Sequence, residues 1–261
     1  MNIVLIGAGI HSFGRGQLAD ILQNSNLSAL GVTLTLVDTD PVALDTMTRL
    51  AQRIKAHARS RIELCQTTER REALVGADYV ILAVARKRMQ LWEQDFRVPL
   101  AHGFRHCLGE NGGPGALFHA LRSLELVIPI CRDIEALCPD ALLLNFTNPE
   151  SRTSWRHAVN VLNAGPWIDN LPASAAVEVP AIVDGNGIHP QAVGALPEPY
   201  AAYLRTQCAI VELVTEAYRT RSKKLLLQAL LLDPVVNSIE AARKLLDDML
   251  ELQKAYLPAF D

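Results

Sequence analysis

Three groups of residues have the types and spacing to do chemistry. The first is Gly7-Ala8-Gly9, with Gly14 a little further on and Asp38 downstream. Between a strand and a helix, the first glycine of such a group makes the tight turn. The second lets the backbone approach a pyrophosphate, whose charge rests on the helix N-terminus. The third glycine of the strict pattern falls at position 12, which is Ser12. Asp38 ends the next apolar stretch. A carboxylate there accepts both ribose hydroxyls of an adenosine and repels a 2′-phosphate, which selects NAD over NADP. Gly7, Gly9, Ile10 and Asp38 are therefore the expected cofactor contacts. Asp38 and Asp40 also compete to cap the helix that Pro41 opens, and one of them is expected to do so.

The second group is Leu108-Gly109-Glu110-Asn111-Gly112-Gly113-Pro114-Gly115, in which four glycines and a proline surround Glu110 and Asn111. Such a loop either brings backbone N–H groups and a helix N-terminus to a ligand or is a long surface turn. The third is Asn145-Phe146-Thr147-Asn148-Pro149-Glu150, directly after an apolar run. Ligands of open α/β sheets sit at the carboxyl ends of strands. Pro149 holds Asn148 extended, so its amide either enters that crevice or serves an ordinary turn.

The elements that must position these groups follow from periodicity. Asn2–Ile6, Val32–Val37, Ile62–Leu64, Tyr79–Val84 and Ala141–Phe146 read as strands, several of them short apolar runs as in a parallel sheet. Helices are expected over Phe13–Leu22, from Pro41 with Asp40 as a plausible cap, and over Leu117–Leu137 with a kink at Pro129. This alternation predicts an α/β fold, a Rossmann-type doubly wound parallel sheet covered on both faces. Trp155 to Pro199 is rich in Pro, Gly and Asn, with short apolar runs at Val177–Val179 and Ala181–Val183. Two long helices are expected after Pro199, the last capped by Asp233 with Pro234 at its first position. A boundary near Pro149 divides an NAD-binding domain (1–150) from a mixed, helix-rich C-terminal domain (151–261) for substrate and self-association.

Composition excludes several classes. With 25 Lys and Arg against 28 Asp and Glu, the 261-residue chain has a formal charge of −3, without the basic excess expected of a nucleic-acid partner. No run approaches the ~20 apolar residues of a membrane span, and the start MNIVLIGAG lacks the basic stretch and small-residue cleavage site of a secretory signal, so none is expected. The five cysteines are odd in number and lack metal-site spacing, so reduced thiols and a cytoplasmic location are expected.

Taken together, GAG near the start, Asp38, GADYVILAV, GENGGPGALFHALR and NFTNPES resemble family 4 glycoside hydrolases, in particular the branch with α-galacturonidase-like and related α-glycosidase members. The block Asn163–Pro197 and the segment Ala229–Phe260 resemble the end of the same family, so the likeness runs nearly end to end. The resemblance implies a fold like lactate and malate dehydrogenases and glycoside cleavage by a redox detour. NAD takes a hydride from C3 of the sugar, a base removes the acidified C2 proton, the glycosidic oxygen leaves, water adds and the hydride returns. A divalent metal, usually Mn²⁺, holds the C2 and C3 oxygens as a Lewis acid, so no catalytic carboxylate pair is required. By position, Glu110 corresponds to the acidic residue beside substrate and metal, and Asn148 to the asparagine on the sugar hydroxyls. With Asn111 they are the expected substrate contacts.

Two departures qualify the likeness. Members acting on 6-phosphorylated sugars carry an arginine where Trp92 falls here, with Arg86, Arg88 and Arg97 nearby, so a non-phosphorylated α-glycoside or galacturonide is the expected substrate. After Arg152, members continue through Cys-His-Gly, whose Cys binds the metal, then a second metal-binding His and a base, usually Tyr. Here Arg152 runs almost directly into Trp155-Arg156-His157 and no Cys-His-Gly occurs. No metal ligand is identifiable; His157 and His189 are lone histidines, and the catalytic base is unassigned. The chain as given either omits an internal segment or has lost the metal and base machinery. In the second case it would be a non-catalytic NAD-binding or oligomerisation protein. A malate-type dehydrogenase is the remaining alternative, weakened by the lack of a His–Asp–Arg set. The apolar faces of the last helices predict a homo-oligomer.

Overall fold

The computed structural model describes residues 1–107, 112–147, 158–184 and 187–261. In chain order the elements are β1 (Asn2–Ile6), α1 (His11–Leu22), α2 (Ser25–Ala29), β2 (Thr33–Val37), α3 (Pro41–Ala58), β3 (Glu63–Thr67), α4 (Arg70–Leu74), β4 (Tyr79–Leu82), α5 (Arg88–Ala101), α6 (Gly113–Leu137) and β5 (Leu142–Asn145). There follow β6 (Ala158–Leu162), β7 (Ala176–Asp184), β8 (Gly187–Pro190), α7 (Glu198–Thr220), α8 (Lys223–Leu232) and α9 (Ile239–Leu252). They form two compact units, each discontinuous in sequence: Met1–Leu91 with Arg122–Asn148, and Trp92–Leu121 with Pro149–Asp261.

The first unit is the expected doubly wound sheet. Its five strands run in the order β3-β2-β1-β4-β5 and every pairing is parallel. Successive side chains alternate between two dry faces. Ile3, Leu5, Leu34, Leu36 and Ile81 pack with Leu18, Leu22, Leu44 and Met47 of α1 and α3. Val4, Ile6, Val80 and Leu82 pack with Leu74, Ile130 and Ile134 of α4 and α6. Leu5 is completely buried, and Leu5→Ala would cost about 2–5 kcal/mol through the cavity it leaves. Because the covering helices change face between β1 and β4, the switch point at which ligands of open α/β sheets sit falls at the carboxyl ends of these two strands.

The second unit packs Phe104, Leu117, Phe118 and Leu121 with residues of α7, α8 and α9, among them Val214, Leu226, Leu245 and Met249. It also carries a three-stranded antiparallel sheet, β6-β7-β8. Buried Asn163 organises the connection before β7, donating to Ile168 O (2.8 Å) and Leu171 O (3.0 Å) and accepting from Ile168 N (2.9 Å).

Several boundaries differ from the sequence expectation. Helices α4 and α5 were not expected, and α6 begins at Gly113 rather than near Leu117, so Gly113-Pro114-Gly115 is its first turn. Three helices follow Pro197 instead of two. Asp233 does not cap the last helix: it is the C-terminal cap of α8, and Ser238 caps α9, accepting from Ala241 N at 3.2 Å. The two short runs around Pro180 are one strand, β7. Its part up to Pro180 pairs with β6 and its part from Ala181 pairs with β8, so proline falls where the partner changes. One described helix, α6, is long and apolar enough to cross a membrane by length and composition alone. Its apolar side chains fill protein cores, Phe118 and Leu121 in one unit and Ile130 and Ile134 in the other.

Candidate dinucleotide site

At the carboxyl end of β1 the chain must turn sharply into α1, and three glycines make that possible for three separate reasons. Gly7 has φ +89°, and a Cβ there would run into the carbonyl oxygen of Ala83 at the end of the neighbouring strand. A Cβ on Gly9 would lie 2.7 Å from Asp38 Oδ2 and 2.9 Å from Ala43 Cβ. A Cβ on Gly14 would lie 2.8 Å from the carbonyl oxygen of Ala8, the residue at the foot of the helix. The close helix–turn packing expected of a glycine at position 12 is thus supplied by Gly14, two residues later. Nothing in the spacing of Gly7 and Gly9 announces that shift.

Asp38 and Asp40 divide the work that they were expected to compete for. Asp40 is the N-cap of α3, with Oδ1 accepting from Val42 N (2.9 Å) and Ala43 N (3.1 Å) and Pro41 in the first turn. Asp38 faces the glycine turn instead: its Oδ2 accepts from Gly9 N at 2.8 Å and its Oδ1 from Asp40 N at 3.0 Å. An ionised carboxylate has about four lone-pair positions, so these two bonds orient Asp38 and leave capacity for further hydroxyl donors. The other expected contact, Ile10, is the N-cap residue of α1 and offers no side-chain acceptor there. Neither does α1 have an acidic residue in its first turn. Its positive end is thus uncompensated by those groups and favours an anion.

The other expected site residues are not brought to this turn by anything described. Glu110, Asn111 and Asn148 lie outside the described residues, as does His157. The flank of their loop is described, and it is anchored by residues that sequence reasoning missed. Gly113, with φ +76°, donates its N–H to Asp233 Oδ2 at 3.0 Å and sits against the ring of His106. Gly115 packs on the backbone of Asp95, a fully buried acid of α5. Asp95 Oδ1 accepts from Gln253 Nε2 at 3.1 Å, and its Oδ2 lies 3.8 Å from His119 Nδ1. The available signal was an acid set among Leu91, Trp92 and Phe96, where a solvated face would be polar throughout. Trp92 stands in α5, and Arg97 of the same helix pairs with Glu93 (2.7 Å) on its exposed side. Among the described residues no group of three or more His, Cys, Asp and Glu side chains could hold a metal ion. The described residues therefore do not fit the divalent metal that the family implies.

A parallel sheet in this strand order, with a glycine turn under an open helix start and an acid at the end of β2, defines a dinucleotide-binding fold of the Rossmann class. The sequence model for the family 4 glycosyl hydrolases matches residues 2–161, and the chain belongs to that family. The model for the family's C-terminal domain matches residues 147–236, so the two matches overlap where Asn148 is soon followed by Trp155. An α-glucosidase of Erwinia rhapontici is 42% identical over 152 residues, which are 58% of this chain and 33% of that protein. A 6-phospho-β-glucosidase of Escherichia coli is 41% identical over 107 residues, 41% of this chain and 23% of that protein. The matched stretch is thus a third or less of the length of either relative. Among solved structures, a 6-phospho-α-glucosidase from gut microorganisms in complex with NAD and Mn²⁺ superposes with a TM-score of 0.87 at 15% identity. That superposition covers 100% of this chain and 99% of that one, and shows the shared fold.

Proposed function

We propose that this chain binds NAD at the β1–α1 turn and acts as a glycosidase of the family 4 type on a non-phosphorylated α-glucoside or α-galacturonide. The observation that carries the reading is Asp38, aimed at the glycine turn by its bonds to Gly9 and Asp40 while Asp40 alone caps α3. In the bound state Asp38 accepts the ribose hydroxyls of the adenosine half and excludes a 2′-phosphate. Gly7 and Gly9 keep the backbone low enough for the pyrophosphate to meet the start of α1. When bound, NAD supplies a reversible hydride acceptor for the sugar carbon. The α-glucoside preference is supported by the 42% identity to the α-glucosidase and, on the family likeness, by Trp92 in the place of the arginine of phospho-sugar enzymes. No step is assigned to a metal. A homo-oligomer and a cytoplasmic location remain part of the proposal.

A second reading, an NAD-binding chain without turnover, is favoured by the missing Cys-His-Gly and by the absence of a metal-competent cluster among the described residues. One experiment separates them. The protein is incubated with aryl α-glucosides and α-galacturonides, NAD⁺, Mn²⁺ and reductant, following phenol release and NADH absorbance together, beside an intact mass measurement. Phenol release without stoichiometric NADH is expected of the glycosidase. Uptake of NAD⁺ with neither signal, at a mass of 28.6 kDa, establishes the second reading, and NADH accumulation would indicate a net dehydrogenase. Asp38→Ala should weaken NAD⁺ binding at least roughly tenfold, in line with the cost of losing hydrogen bonds to a charged group. An unchanged affinity overturns the assignment of the site.

A further inference from the structure

Past the ends of the strands, one side-chain contact joins elements on the two sides of the switch point of the sheet unit. Phe13, in the first turn of α1, and Phe146, just beyond β5, bring their ring centroids to 4.9 Å with an interplanar angle of 42°. Helix α1 follows β1, and β5 lies on the far side of β4 in the strand order, so this aromatic pair spans the point where the sheet's helices change face. The rings meet for a reason that can be traced in the strand. Leu144 packs into the core on the α1 side, and the period-two alternation puts Phe146 on the same side. Phe13 is partly buried against that core, but Phe146 keeps 38% of its surface exposed. Its backbone is nevertheless fixed. Phe146 N donates to Leu82 O at 2.7 Å, and Val84 N donates to Thr147 Oγ1 at 3.1 Å, tying the end of β5 to that of β4. The result is an exposed, well-anchored aromatic face with unused apolar surface.

We propose that the Phe13–Phe146 pair is the seat of the nicotinamide ring, with Phe146 in contact with it and Phe13 setting the tilt of Phe146. The inference rests on the NAD reading above. With the adenosine held by Asp38 beyond β2, a dinucleotide crossing the Gly7 turn carries its other end over β4 and β5, where the pair stands. The oxidised ring is planar and cationic, and an aromatic face attracts such a ring beyond simple area burial.

The test is a calorimetric titration of the whole chain with NAD⁺ and with ADP-ribose, which is the same molecule without its nicotinamide. Phe146→Ala should weaken NAD⁺ binding roughly three- to tenfold and leave ADP-ribose binding unchanged, and Phe146→Tyr should retain NAD⁺ binding. Equal losses for both ligands, or no loss for either, would overturn the role of the pair. A wild-type chain that takes up neither ligand overturns the NAD reading itself, and that outcome is distinct from a chain that binds both and ignores Phe146.

Discussion

Each unit of this protein carries a glycine-rich helix start, and in each an aspartate accepts from a glycine N–H, Asp38 from Gly9 and Asp233 from Gly113. Gly9 stands before the cap of α1, whereas Gly113 is itself the first residue of α6. At α1 the cap position is held by Ile10, which has no acceptor side chain, and no acid stands in the first turn. At α6 the N–H of Gly113 is already taken by Asp233, and Gly115 is packed on Asp95. Glycine shows in both places that the backbone comes close to something. Only the neighbouring acceptors tell whether that something is the protein itself or a ligand. The comparison supports α1 as the proposed seat of the dinucleotide phosphates, while the start of α6 is bound by the protein's own acceptor.

The largest expected effect breaks the comparison at its first member. Gly7→Ala would need a left-handed backbone and would drive a Cβ into the Ala83 carbonyl. It should cost about 2–4 kcal/mol of stability in urea denaturation and abolish NAD⁺ uptake. A variant that keeps both would show that the turn has room to spare and is no cradle. The second member is tested by Asp233→Ala. Losing the bond to Gly113 and the one from Val235 N (3.1 Å) should cost about 1 kcal/mol and leave NAD⁺ affinity unchanged. A fall in that affinity would mean that the start of α6 takes part in nucleotide binding after all.

The two units also differ in how far their sequences revealed them. The sheet unit was legible because each strand is an apolar run and each turn has local chemistry, as with Asp40 and Pro41. The same dipeptide, Asp233-Pro234, misled. There the two following valines are poor helix formers, the Asp side chain finds Gly113 through tertiary contact, and Ser238 takes over the cap. The role of Gly14 was hidden for a similar reason, since helix geometry and not motif spacing brings it against Ala8. Helix α5 was missed because Asp95 looks like a solvent-facing acid until Gln253 and Gly115, distant in sequence, close over it. The block Asn163–Pro197, which carries much of the family likeness, turns out to hold its own loops. Asn163 binds backbone groups nearby, and Asn170 exchanges two bonds with the backbone of Leu196. Likeness in that block therefore speaks for the fold more than for catalysis.

The smallest effect separates the units by acid. In the sheet unit Asp133 of α6 accepts from Arg70 Nε at 2.7 Å and also pairs with Arg71. Burial pushes its carboxyl up, but the hydrogen bond and charge of Arg70 and the charge and hydrogen bond of Arg71 outweigh that, holding it below the usual carboxylate range. In the helical unit Glu198 and Glu216 are lowered by the hydrogen bonds and charges of Arg205 and Arg219, but they lie in solvent, where such pairs contribute little. A carboxyl whose folded pKa is depressed stabilises the fold above its unfolded pKa, about 3.9 for Asp. That contribution is lost as pH falls through the folded value. Asp133→Asn should therefore melt below the wild type at neutral pH, and the two should converge as the pH drops beneath about 4. Glu198→Gln should show no such converging gap. If the Asp133→Asn gap stays constant into acid, packing and not charge explains the loss, and the electrostatic contrast between the two units disappears.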